Sequence, residues 1–180
     1  AYIVVGSVHQ ACNESGTSDA ARVMLAGAGQ ADVAMAPAGD MFEMGVTVQV
    51  LKRGTMFAMR AQKLYEIYRK YDSIAAIPAA ERQTLEKTVF QETLDNIWAM
   101  TADFFRQRDP SQLEKAEKDP HHKMALIFRW YLGKSPRWAV GGEEARKVDY
   151  QIWCGAAMGA FNEWAKGSIF ENQNNRRVVD

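Results

Sequence analysis

The chain has 180 residues, and its 22 lysines and arginines are balanced by 22 aspartates and glutamates. A hydrophobic share of 47% is typical of a folded globular protein and excludes a disordered, charge-rich segment. The lack of a basic excess argues against a nucleic-acid partner. No apolar run reaches the roughly 18 residues of a membrane-spanning helix, so we expect no membrane partner. Two separated cysteines, Cys12 and Cys154, could form one bridge, but reduced thiols in a cytoplasmic protein are favoured.

The chain begins with an apolar run, Ala1–Val5, that has no initiator methionine and is too short for a signal peptide. A continuous β-branched run of this kind is typical of a strand buried on both faces of a parallel sheet. Two further strands are predicted at residues 32–36 and 46–51, and the alternation of the second suits a half-exposed edge. Because a parallel strand needs neighbours, we expect the C-terminal part of a longer protein, cut within a sheet.

From residue 57 onward the apolar residues recur at helical spacing. A first amphipathic helix is predicted over residues 57–71, and a charged helical segment opens at Pro78. A second strong stripe covers residues 94–105. It ends before Pro110, because the residue that precedes a proline avoids the helical region.

A third helix is predicted to open at Pro120 and to end at Gly133, where a loop begins. The last helix is predicted over residues 150–161. It contains Gly155 and Gly159, each of which costs about 1 kcal/mol relative to alanine, so we expect another backbone to approach that face closely. Four large side chains on these stripes are expected to be buried: Trp98, Phe128, Trp153 and Phe161.

The first chemical signal is Gly6–Ser7, directly after the predicted N-terminal strand. Glycine lets backbone N–H groups approach an anion and serine adds a donor, although on spacing alone an ordinary strand exit is favoured. His9 is nearby and is the weak candidate for an acid or base, while a hydrogen-bonded structural role is commoner. Further along, Thr17 or Ser18 is a candidate helix N-cap.

Three other polar segments have ordinary structural interpretations. Residues 52–55, Lys-Arg-Gly-Thr, could hold a phosphate, but a solvated basic turn is favoured. Glu43 is expected to face water, and the adjacent His121 and His122 are expected to form a surface pair in a first helical turn. No metal-binding spacing occurs, so no metal site is predicted.

Long stretches of the chain carry a resemblance to a known family. They include residues 5–18, VGSVHQACNESGTS, and 49–65, QVLKRGTMFAMRAQKLY, with further pieces at 32–46, 123–133, 149–155, 158–161 and 175–180. Together they resemble the trans-acting enoyl reductase subunit of polyunsaturated fatty acid synthases and trans-acyltransferase polyketide synthases. The resemblance covers essentially the whole chain, and the departures at Gly39 and Ala156 are minor.

The resemblance implies a fold similar to that of nitronate monooxygenases, with an FMN-binding (β/α)8 barrel of the TIM type. Ala1–Val5 would be the last barrel strand, and Gly6, Ser7 and Gln10 would bind the cofactor. Residues 1–55 would end the barrel with its connecting strands. Residues 56–180 would form a mainly α C-terminal helical extension, and the catalytic residues would lie upstream of Ala1.

The implied activity is reduction of 2-enoyl thioesters on acyl carrier protein, with NADPH and FMN. Acyl carrier protein domains and other synthase subunits would be the partners, with a homodimer left open. The isolated chain would be inactive, because one strand cannot close a barrel. Two alternatives stay open: a nitronate monooxygenase-type flavin oxidase, and a non-catalytic helical module that docks carrier proteins or subunits.

Overall fold

The computed structural model describes residues 6–178, so the strand predicted at Ala1–Val5 lies outside the described residues. The described chain is mainly helical, as predicted. Its α-helices are α1 (Ser7–Gln10), α2 (Asp19–Ala26), α3 (Phe57–Lys70), α4 (Ala79–Leu85), α5 (Leu94–Arg108), α6 (Ser111–Lys118), α7 (Pro120–Gly141) and α8 (Ala156–Ala165). Its strands are β1 (Val33–Pro37) and β2 (Thr47–Leu51). Within residues 6–178, no helix combines the length and apolar character that a bilayer span requires.

The chain divides into two compact units that interleave in sequence. The first unit contains the residues up to 36, residues 47–59 and the residues from 135 onward. The second contains residues 37–46 and 60–134. The predicted division was a single cut between a barrel end at residues 1–55 and a helical extension at 56–180. It concerns the longer protein and stays a prediction.

The first unit is built around β2, which pairs on both of its edges. On one edge it pairs with β1, and the Lys52 N–H donates to the Asp32 carbonyl at 2.9 Å. On the other edge the Leu51 N–H donates to the Ile152 carbonyl at 2.9 Å, and Val50 forms an antiparallel bridge with Trp153. Apolar side chains from these segments and from α2 and α8 make its core: Ala21, Leu25, Leu51, Tyr150, Ile152, Cys154 and Met158.

The second unit buries an aromatic cluster centred on Phe42. The Phe42 ring lies 5.5 Å from that of Tyr65 and 6.4 Å from that of Phe128, both in edge-on geometry. Such edge-to-face pairs stabilise a core beyond the area that they bury. Phe42 and Phe128 are fully buried, which confirms the expectation for Phe128. The predicted α3 and α5 also form as expected, and α5 ends at Arg108, ahead of Pro110.

Two predicted boundaries in the C-terminal half are wrong. Helix α7 does not end at Gly133 but continues to Gly141, with Pro136 inside it. Tyr131 and Ser135, on either side of Gly133, are both fully buried. Burial of the helix on both sides of the glycine overrides the local propensity for a helix end.

The last helix begins later than predicted, because residues 152–154 pair with β2 instead. Trp153 is consequently 48% exposed, so the expectation that it is buried is wrong, and Trp98 and Phe161 are only half-buried. Gly155 is the N-cap of α8, not an interior residue. The expected close approach does occur at Gly159, where an added Cβ would lie 2.6 Å from the Gln30 Cα.

Candidate functional site

The predicted anion-binding residues form the start of the one-turn helix α1. Gly6 is its N-cap, and the Gln10 N–H closes the turn onto the Gly6 carbonyl at 3.1 Å. Gly6 is exposed, and a Cβ built on it would meet no atom of residues 6–178 within 4 Å. The backbone at Gly6 is therefore open to the approach of a ligand, which is the property that the sequence argument required of it.

Ser7 is held by the segment that precedes α8. Its hydroxyl oxygen accepts a hydrogen bond from the Gly155 N–H at 3.2 Å. A Cβ on Gly155 would lie 3.4 Å from Gln49 Oε1 and 3.9 Å from Ser7 Oγ, so these three residues converge. Since the hydroxyl accepts from Gly155, its own proton is left to donate to a further group, and such a chain of hydrogen bonds strengthens the donor.

The two other residues predicted near this site differ in exposure. Gln10 is half-buried, one helical turn beyond Gly6. His9 is exposed at the end of α1. The structure therefore brings Gly6, Ser7 and Gln10 onto one turn and leaves His9 facing solvent. Their roles in cofactor binding and in catalysis stay predictions.

Two of the segments that were given ordinary structural interpretations have the structure expected of them. Ser18 is the N-cap of α2, as predicted, because its hydroxyl accepts from the Ala21 N–H at 3.3 Å and donates to the Ala139 carbonyl at 2.6 Å. In the basic turn, Arg53 pairs with Asp32 at 3.2 Å. The Gly29 N–H, and then Arg53, hold the pKa of Asp32 below its usual range. Arg53 thus has an anionic partner within the chain, in agreement with a solvated turn.

The expectation that His122 is a surface residue is wrong, and Glu43 is half-buried with its side chain 29% exposed. His122 is 2% exposed, and its ring nitrogens lie 2.7 Å from Glu43 Oε1 and 3.0 Å from Gln112 Oε1. A histidine with partners at both nitrogens is not presented to a substrate. It ties the segment of residues 37–46 to α6 and α7 within the second unit. Glu43 and His122 are 79 residues apart, so no local pattern could have indicated the pair.

His121 is also placed by tertiary contacts. Its ring stacks on that of Tyr68 with centroids 3.9 Å apart, and its Nε2 lies 2.8 Å from the Tyr68 carbonyl oxygen. Asp119 accepts hydrogen bonds from the backbone N–H groups of His122 and His121 at the start of α7. These bonds, chiefly the one from His122, lower the pKa of the Asp119 carboxyl.

Both cysteines lie free and buried in the first unit. Burial raises the pKa of Cys154 to about 11 and also raises that of Cys12. A thiol is a weak nucleophile until it loses its proton, so neither residue is primed for attack at neutral pH. Both thiols therefore act as packed side chains in the first unit.

Known proteins with similar sequences belong to fatty acid and polyketide synthesis. The chain is 50% identical over 173 residues to one of the polyunsaturated fatty acid synthase subunits of Thraustochytrium sp., which is 95% of this chain and 12% of that protein. It is 48% identical over 177 residues to the polyketide biosynthesis protein PksE of Bacillus subtilis, which is 98% of this chain and 23% of that protein. The chain therefore spans less than a quarter of these relatives.

A solved structure and a family model add two further similarities. The crystal structure of the enoyl reductase domain of MlnA, from the macrolactin cluster of Bacillus amyloliquefaciens, matches with a TM-score of 0.90 and 40% identity. That match covers 96% of this chain and 38% of the MlnA chain. Residues 71–150 match the model of a family described as "[Acyl-carrier-protein] S-malonyltransferase, inserted helical domain". The chain thus has relatives in fatty acid and polyketide synthesis and the fold of part of an enoyl reductase domain.

Proposed function

We propose that this chain is part of a flavin-dependent enoyl reductase that acts in polyunsaturated fatty acid or polyketide synthesis. Its substrate would be a 2-enoyl thioester on acyl carrier protein, with NADPH as the reductant and FMN as the bound cofactor. The observation that carries the proposal is the similarity to the MlnA enoyl reductase domain over 96% of the chain. Carrier protein domains and other synthase subunits are the partners that follow from this assignment.

The residues at the start of α1 fit an FMN phosphate. Phosphates are bound by backbone N–H groups and hydroxyls at glycine-containing turns. Gly6 is exposed with open space around its α-carbon, and Ser7 has a hydroxyl proton to donate while Gly155 fixes its oxygen. These residues would hold the phosphate, and Gln10 on the same turn would border it.

FMN, when bound, supplies a hydride for the β-carbon of the enoyl thioester, and NADPH restores it. The part that this chain's residues play is positional. The Gly155 N–H would hold the Ser7 hydroxyl oxygen in place and leave the hydroxyl proton to donate to the phosphate. By holding the phosphate, Gly6 and Ser7 would anchor the cofactor at this turn.

The cofactor assignment is tested by a glycine-to-valine pair. The full-length protein is purified, and its flavin absorbance is compared across variants. Gly6→Val should lower the retained flavin, because the branched side chain blocks approach to the backbone. Gly141→Val is the matched control, since Gly141 is also exposed with no atom within 4 Å of an added Cβ. Ser7→Ala should have a smaller effect than Gly6→Val.

The outcomes separate the cofactor site from the reaction. Full flavin content in Gly6→Val would contradict the phosphate assignment alone. Failure of the flavin-loaded wild type to oxidise NADPH in the presence of a 2-enoyl thioester would contradict the enoyl reductase proposal itself.

A second function is favoured by the family match of residues 71–150, whose description names an acyl-carrier-protein enzyme. In this alternative the helical part docks a carrier protein. The candidate surface is the part of the basic segment Lys52–Lys70 that lies in the second unit, residues 60–70, in which Lys63 already pairs with Glu81 at 3.0 Å. Arg69→Glu should then weaken carrier-protein binding, measured by calorimetry, while the exposed Lys115→Glu should not. Equal affinities would contradict docking at this segment.

A further inference from the structure

The second unit contains a groove that is lined only by residues of that unit. It has a volume of about 470 Å³ and is lined by residues of α4, α5, α6 and α7 together with the turn at Ser73–Ala75. A volume of this size falls in the range of small-molecule sites. At the roughly 30 Å³ that a water molecule occupies in the liquid, it accommodates about 15 non-hydrogen atoms.

The floor of the groove is apolar. Leu94 of α5, Ala116 of α6 and Ile127 of α7 line it and are at most 4% exposed. The half-buried Trp98 of α5 lies beside them and adds an aromatic face. A ligand that covers this floor gains by removing apolar surface from water, so its body must be apolar as well.

Two half-buried cations also line the groove. The Lys123 ammonium lies 4.5 Å from the centre of the Trp98 ring, in cation–π geometry. Arg82 of α4 is half-buried in the same lining. Among residues 6–178, neither cation has a carboxylate within ion-pairing distance. Partial withdrawal of a charge from water without a counter-charge is unfavourable, and an anionic group placed here would offset that cost.

The acidic residues of the groove limit the charge of the ligand. Asp95 and Glu117 belong to the lining but are exposed, whereas the two cations are half-buried. The carboxylates therefore remain solvated and would repel a ligand with several negative charges. An anion with a single charge suits the groove better than a polyanion.

From this arrangement we propose that the groove binds a monoanionic amphiphile, namely a medium-chain fatty carboxylate. The carboxylate lies between Arg82 and Lys123, and the alkyl chain covers Trp98, Leu94 and Ile127. A chain of twelve carbons with its carboxylate has 14 non-hydrogen atoms, close to the number that the volume accommodates. The proposal concerns the helical unit by itself and does not rest on the reductase assignment.

The test is titration calorimetry of the full-length protein with dodecanoate, in parallel with acetate, dodecanol and pyrophosphate. We expect saturable binding of one dodecanoate per chain. Acetate lacks the chain, dodecanol lacks the charge and pyrophosphate carries too much charge, so each should bind at least ten-fold more weakly. Failure of dodecanoate to bind, or equal affinity for dodecanol, would overturn the proposal.

Variants locate the site. Lys123→Gln and Arg82→Gln should each weaken dodecanoate binding about ten-fold or more, since a charge-assisted contact is worth that factor. Arg82→Lys retains the charge and should recover most of the affinity. Lys118→Gln is the control, because Lys118 is exposed on α6 outside the groove.

The fluorescence of Trp98 reports ligand binding directly, and a purely structural role of the two cations would not change it. Dodecanoate should change the tryptophan fluorescence of the wild type. Trp98→Phe should abolish that change while calorimetry still detects binding. Unchanged dodecanoate affinity in both glutamine variants, or an undiminished fluorescence change in Trp98→Phe, would place the ligand elsewhere and overturn the assignment.

Discussion

Substitution of two helical glycines by alanine should change the stability of this protein in opposite directions. Gly159 lies in α8, where an added Cβ would be 2.6 Å from the Gln30 Cα. Carbon atoms in contact normally lie 3.5–4.0 Å apart, and the Gln30 N and the Gly29 carbonyl carbon would lie even closer to the added Cβ. The helix and the residue 29–30 backbone must therefore separate by more than about 1 Å. Backbone atoms cannot rotate away from the clash as a side chain can.

The magnitude for Gly159→Ala follows from three terms. Overpacking costs about 3 kcal/mol at the upper end of the usual range. The move also stretches the two 2.8 Å hydrogen bonds that Asn162, one turn further along α8, donates to the Leu25 and Ala28 carbonyls. Alanine regains about 1 kcal/mol of helix propensity. Overpacking and propensity together leave a loss of about 2 kcal/mol, or roughly 4–8 °C in Tm for a domain of this size, and the stretched hydrogen bonds add to that loss.

Gly133 provides the matched control. It lies inside α7, and an added Cβ would meet no atom within 4 Å. Gly133→Ala should therefore stabilise the protein by up to about 1 kcal/mol. Thermal and denaturant unfolding of both variants measure the difference. A Gly159→Ala protein as stable as the wild type would refute the close-approach argument.

Three further predictions concern caps and thiols. Asp119→Asn should lower stability at pH 7, and the difference from the wild type should shrink as pH falls below about 4. The reason is that a carboxyl with a lowered pKa in the folded state stabilises the fold only while it is ionised. A pH-independent difference in urea unfolding would contradict this. Ser18→Ala should cost about 1 kcal/mol through loss of the α2 N-cap, and an unchanged unfolding midpoint would be the contrary result. At pH 8, iodoacetamide should label Cys154 slowly in the folded protein and rapidly after unfolding, since burial raises its pKa to about 11. Fast labelling of the native state would be inconsistent with that burial.

Local sequence patterns were enough to predict the helical class and several element boundaries. The stripes at residues 57–71 and 94–105 predict α3 and α5, because a period near 3.6 with charged residues between the apolar ones is a local property. The N-cap at Ser18 is local as well. The expectation of a close backbone approach at Gly159 also came from sequence, since an interior glycine that costs stability needs a packing reason.

Other features depend on contacts between elements that are distant in sequence. Packing continues α7 through Gly133, because the helix is buried on both sides of that residue. The tertiary structure paired residues 152–154 with β2 and so left Trp153 exposed. It also joined Glu43 to His122 across 79 residues and assembled the groove from four helices. Contacts of this kind depend on which elements meet, and a stripe on one helix does not specify its partner.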